Sequence, residues 1–128
     1  MKKPKYIYGD LVRHESFQAC KVTNIDSILD GCCYTLENLQ NGSSHFISSC
    51  GVKPIFLTSE ILKKNGYKPV INKNYIYQHI SDNCYELWKL DGKGWVMYWR
   101  GQKLRTFKYV HEFQHLLFGL GLDNDLKV

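Results

Sequence analysis

Between Tyr6 and Ile55, short runs of β-favouring residues are cut so often by turn formers that no helix of ordinary length fits. The runs are Tyr6 to Arg13, Ala19 to Ile25, Cys32 to Leu36, His45 to Ser48 and Val52 to Ile55, with Asp30-Gly31, Asn41-Gly42-Ser43-Ser44 and Gly51 among the breaks. So many short strands in so little chain predict a small, strongly bent, barrel-like region. Closure would hide edges that otherwise pair with other chains.

The pattern changes at Thr58, which stands where a helix N-cap would. Glu60 follows in the first turn, then Ile61 and Leu62, and Asn65-Gly66 supplies a stop, so a short helix is expected over Ser59 to Asn65. Alternation resumes in Tyr75 to Ile80, Tyr85 to Leu90, Trp95 to Arg100 and Lys103 to Phe107, which read as a four-stranded antiparallel meander. Its breaks are Ser81-Asp82-Asn83, Asp91-Gly92-Lys93-Gly94 and Gly101-Gln102. Tyr109 to about Leu120 closes the pattern as a helix, with Gly119 or Gly121 available to end it. The fold class is therefore α+β: a small β-barrel-like region over residues 1–56, a connecting helix over 57–67, and a β-meander with a C-terminal helix over 68–128, forming one compact unit.

A composition of 44% hydrophobic and 14% aromatic residues is too apolar for a disordered chain. The formal charge of +5 favours anionic partners without choosing among them. The 5 cysteines include no C-x-x-C pair, which points away from a cysteine zinc knuckle and a disulfide framework. Met1-Lys2-Lys3-Pro4-Lys5 resembles a signal-peptide head, but Asp10, Arg13, His14 and Glu15 interrupt any apolar core behind it. No apolar run approaches the roughly 20 residues of a membrane span. The expected location is the cytoplasm, with reduced thiols.

His111-Glu112-Phe113-Gln114-His115 spells H-E-x-x-H. On a helix, imidazoles four residues apart share a face and can hold zinc, while the glutamate between them activates a metal-bound water. A catalytic zinc also needs a third protein ligand. Phe118 and Gly121 stand where a metzincin would have its glycine and its next ligand, and no glutamate follows Glu112. His79 could serve only in an unfamiliar arrangement. On a helical wheel Val110, Phe113, Leu117 and Leu120 form the apolar stripe, with His111 and His115 roughly opposite, towards solvent, a partner or a shallow groove. The sequence thus favours incidental surface or structural histidines first, a ligand-contacting His111 next and a catalytic zinc last, and it calls for no metal and no cofactor.

The segment from Tyr98 to Tyr109 interleaves Arg100, Lys103, Arg105 and Lys108 with Tyr98, Trp99, Phe107 and Tyr109. Rings of this kind stack on bases while the cations meet phosphate. Strict alternation would place Lys103, Arg105 and Phe107 on one face and Leu104 and Thr106 on the other. The plainer reading is a half-buried sheet with its aromatics in the core and its cations hydrated. Gly92-Lys93-Gly94 lacks the length and the hydroxyl residue of a P-loop and reads as a turn. The adjacent Cys32 and Cys33 read as alternating strand residues.

Lys53-Pro54-Ile55-Phe56-Leu57-Thr58-Ser59-Glu60-Ile61-Leu62-Lys63-Lys64-Asn65-Gly66-Tyr67 and Tyr109-Val110-His111-Glu112-Phe113-Gln114-His115-Leu116-Leu117, with the Gly9 to Val12 start, resemble a family of small proteins carried by phages and mobile elements of Bacteroides-type bacteria. That family has a K-P-I-P-L-T-x-E-I-L-x-K-N-G-F segment and a Y-V-H-x-L-Q helix. Phe56 and Tyr67 depart from it, in place of a proline and a phenylalanine. The resemblance spans nearly the whole chain and implies a phage or mobile-element setting.

Together these features predict a non-catalytic binding protein with Tyr98, Trp99, Arg100, Lys103, Arg105, Lys108, Tyr109 and His111 as ligand contacts. The expected ligand is an anionic, nucleotide-like small molecule, and sequestering a host immune signal of that chemistry would be counter-defence. Pairing of two copies would deepen the site. The alternatives are an H-E-x-x-H zinc hydrolase and a module that binds nucleic acid or inhibits a host protein.

Overall fold

The computed structural model describes residues 5–28 and 31–128. Asp30, expected to turn with Gly31, and the basic residues before Lys5 lie outside the described residues. The chain divides into two compact units, Met1–Ile55 and Phe56–Val128, and the short connecting helix belongs to the second. The architecture is α+β, with two antiparallel sheets and two short helices.

In the first unit, β1 (Leu11–His14), β2 (Gln18–Ile28), β3 (Gly31–Asn38), β4 (Ser44–Ser48) and β5 (Lys53–Pro54) form a sheet in the order β4-β3-β2-β1-β5. The sheet is open, with edges at β4 and β5, where the density of strands led us to expect closure into a barrel. Pro54 sits on the β5 edge, where a residue lacking N–H breaks no ladder. The first strand begins later than its alternation suggests. Gly9 takes φ +85° and the Asp10 carboxylate accepts the Ile7 N–H at 2.9 Å, which folds residues 7–10 into a turn. Buried Tyr6, Val12, Cys20, Val22, Cys32, Tyr34, Leu36 and Val52 make the core. The Tyr34 hydroxyl accepts the backbone N–H groups of Lys5 and Tyr6 at 3.0 and 3.3 Å, so this buried ring keeps its polar end paired. Cys33 is as buried as Cys32, so simple alternation does not describe β3 at that point.

The second unit opens with α1 (Ser59–Lys64), capped as its sequence suggests: Thr58 Oγ1 accepts the Ile61 N–H at 3.2 Å. Asn65 is the C-cap and Gly66 follows at φ +85°, the left-handed position that favours glycine. A Cβ there would also come within 3.0 Å of the His79 ring. The sheet then runs β6 (Tyr67–Val70), β7 (Lys73–His79), β8 (Asp82–Lys89), β9 (Trp95–Trp99) and β10 (Gln102–Phe107), in the order β10-β9-β8-β7-β6. It thus holds five strands where four were expected. The additional strand is β6, whose Pro69 is tolerated because β6 is an edge.

The closing helix α2 covers Val110–Gly119, inside the expected span, with Tyr109 and Leu120 as its caps. It ends in a Schellman motif: Gly121 N donates to Phe118 O at 3.0 Å and Leu122 N to Leu117 O at 2.9 Å, with Gly121 at φ +72°. Val110, Phe113 and Leu117 are completely buried. Phe113 stacks on Phe107 with centroids 5.4 Å apart and meets Tyr67 edge-on at 5.7 Å. Because Phe107 pairs with Trp95 across β9, α2 lies on the Trp95 face of the sheet. Trp95 Nε1 donates to Leu57 O at 2.9 Å, joining the segment before α1 to the same core.

Candidate functional site

Glu112, the centre of the H-E-x-x-H string, is committed to the helix start. Its Oε1 accepts the backbone N–H groups of both Lys108 and Tyr109 at 3.1 Å, satisfying donors that the first turn leaves orphaned. The two imidazoles lie 5.7 Å apart between centroids and nearly perpendicular. His111 is only 5% exposed, which corrects its expected position opposite the apolar stripe. Gln114 is buried as well, so the covered arc of α2 is wider than the stripe and includes the flank that carries His111. The Tyr109 ring stacks on His111 at 5.8 Å. His79 Nδ1 engages Ser81 Oγ at 2.8 Å while its ring meets Tyr67 edge-on. Among the described residues no three His, Cys, Asp or Glu side chains gather where a metal ion could bind.

The basic segment folds into the β9–β10 hairpin, turned through Arg100 (φ +50°) and Gly101 (φ +85°), the signs that a two-residue type I′ turn requires. Lys103 pairs with Tyr98 and Arg105 with Met97, so Leu104 is an extra residue in a bulge. That bulge breaks the expected alternation. Lys103 shares a face with Tyr98, whereas Arg105 shares the opposite face with Met97 and Phe107. Trp99 stacks on Tyr85 at 5.8 Å, away from Tyr98. Lys108, just past β10, lies about 13 Å from Lys103 along the strand direction, at roughly 3.3 Å per residue with one residue lost to the bulge. Its ammonium sits 5.9 Å from the centre of the Tyr109 ring. The eight candidate residues thus form no single pocket. Tyr98 and Lys103 are together, Arg100 tips the hairpin, Arg105 and Trp99 face the other way, and Lys108, Tyr109 and His111 gather at the start of α2.

Tyr98 has neighbours that sequence reasoning passed over. Glu86 lies opposite it on β8, and Trp88, two residues on, shares its face. The Trp88 ring is 4.9 Å from that of Tyr98, and the Tyr75 ring on β7 is 5.8 Å from Trp88. Trp88 and Tyr98 are half-buried and Tyr75 is 44% exposed. Glu86 is held in place by Gln78 Nε2 and Trp88 Nε1, both at 3.2 Å. Tyr98, Glu86 and Trp88 lie on the face opposite Trp95 and α2, since Tyr98 is one residue from Met97 and three from Trp95. Tyr75 falls in the irregular stretch of β7 where the β6 pairing jumps from Tyr77 to Lys73, and its ring contact with Trp88 brings it to that row. The sequence signal was the Glu86, Trp88 alternation beside Tyr98, but only strand register brings those residues together.

A cleft of about 240 Å³ also opens beside Tyr67 and Tyr85 and is lined by Asp82, Asp123 and Asp125. The two phenols share a hydrogen bond of 2.8 Å. Burial, above all, pushes both phenols up, and Asp82 adds to the rise of each. Three carboxylates make this cleft a poor host for phosphate.

Comparison with protein-family models, curated proteins and solved structures finds no match for this chain. No helix among the described residues is long and apolar enough to cross a membrane.

Proposed function

We propose that this chain is a non-catalytic binding protein for an anionic, nucleotide-type ligand, recognised on the outer face of the β9–β10 hairpin. The observation that carries the reading is the direct pairing of Lys103 with the half-buried Tyr98 across an edge strand whose residues Gln102–Thr106 are all exposed. A ring that lies open beside an ammonium group offers a base a stacking surface and a phosphate a counter-charge. Arg100 at the hairpin tip adds a second cation within reach of the same ligand. Tyr98, Lys103 and Arg100 form the centre of this reading; Trp99 and Arg105 drop out of it because they face the other way, His111 because it is buried, and Lys108 and Tyr109 because they lie farther along, at the start of α2. The resemblance in sequence supports a phage or mobile-element setting in the bacterial cytoplasm. Sequestration of a host nucleotide signal would then be the biological purpose.

Thermal shift of the whole chain against cyclic nucleotides, ADP-ribose-type compounds and nucleoside monophosphates tests the reading. A ligand selective for the folded state raises the melting temperature, by about 2.7 kcal/mol of stability at a hundred times its Kd. Lys103→Glu should abolish that shift. No shift with any nucleotide, and none altered by Lys103→Glu, would refute the reading.

A further inference from the structure

We infer that the face carrying Tyr75, Trp88 and Tyr98 binds single-stranded nucleic acid, with successive bases stacked across β7, β8 and β9. The inference rests on the reading that Tyr98 and Lys103 face a nucleotide, and it names the ligand as a polymer. Three rings on three neighbouring strands, with centroids 5.8 and 4.9 Å apart, make a row longer than one base can cover. Lys103 on β10, opposite Tyr98, flanks the row on one side. Lys68 on β6 flanks it on the other, because it pairs with Gln78, whose side chain reaches Glu86 on the same face. Both lysines are exposed. Aromatics in the middle strands with cations on the outer ones match a chain whose bases lie inward and whose phosphates run at the margins.

A duplex keeps its bases stacked on one another and could not offer them to these rings. Glu86 sits among the rings, where bases lie and phosphates do not. Its carboxylate, already oriented by Gln78 and Trp88, retains lone pairs for the exocyclic amino group of a base.

The experiment is fluorescence anisotropy of a labelled twelve-nucleotide single strand with the whole chain, beside the same sequence as duplex and beside a nucleoside monophosphate as competitor. The single strand should bind more tightly than either, with an affinity that falls as salt rises. Tyr75→Ala, at an exposed ring, should weaken the single strand by roughly tenfold, within the range of about five- to a hundredfold expected for one stacked base, and leave monophosphate binding unchanged. Lys68→Glu should weaken the single strand in the same selective way. Equal affinity for duplex and single strand would overturn the inference, as would indifference of the single strand to both substitutions. If the monophosphate binds and the polymer gains nothing, the inference falls and the nucleotide reading stands. If neither binds, both fall.

Discussion

Replacing Glu112 by alanine and by glutamine separates its role as a helix cap from the role that its motif suggests. The carboxylate accepts two backbone N–H groups at the start of α2 and places a negative charge at the positive end of the helix. Alanine removes both, leaving the N–H groups of the N-cap Tyr109 and of Lys108 before it to water. The expected loss is about 1–2 kcal/mol, in line with other N-terminal caps. Glutamine keeps an acceptor oxygen and forfeits chiefly the charge, which is worth about 0.3–1 kcal/mol at a helix N-terminus. For a domain of this size 1 kcal/mol moves the melting point by about 4–8 °C. Calorimetry should therefore give Glu112→Ala a drop of roughly 4–15 °C and Glu112→Gln a drop of only a few degrees. Equal melting points for wild type and Glu112→Ala would refute the capping argument, as would a glutamine variant no better than alanine.

Phe113→Ala should cost about 3–5 kcal/mol, since it empties a fully buried site between Phe107 and Tyr67; urea unfolding would measure it. Gly66→Ala should destabilise by about 1 kcal/mol or more, through the left-handed backbone and the approach to His79, again read by urea unfolding. Tyr67→Phe or Tyr85→Phe alone should cost about 1–3 kcal/mol by stranding the other buried hydroxyl, whereas the double change should cost less than the two single changes summed, a double-mutant cycle. The same two phenols titrate above their ordinary value in the folded chain. Their raised values favour the folded state fully below about pH 10, the unfolded phenol value, and that stability is lost progressively as pH rises beyond it. Ultraviolet titration should show the last tyrosinates appearing only with unfolding.

Local chemistry made much of the fold legible. Thr58 and Gly66 mark α1 because capping needs only neighbouring residues, and the β9–β10 turn follows from Gly101 at a position that requires positive φ. What escaped depends on partners distant in sequence. β6, which carries Pro69, is legible as a strand only once its pairing with β7 at the sheet edge is known, and the bulge at Leu104 sent Arg105 to the face opposite Lys103. His111 was misplaced because a helical wheel gives angles without saying how wide an arc its neighbours cover. Tyr75 and Trp88 were overlooked beside Tyr98 because their proximity exists only once three strands are in register.

The exposed β10 edge has a consequence for how this chain behaves at high concentration. An open strand offers its amide and carbonyl groups to any second copy, the geometry from which fibrous stacking begins. Two β10 strands laid edge to edge would bring Lys103 and Arg105 of one against those of the other, and like charges facing across a ladder repel. That protection is electrostatic and weakens as ions screen it. Concentrated salt should therefore lower the barrier to self-assembly along this edge, so that the chain is most prone to stack where its charges are most fully screened.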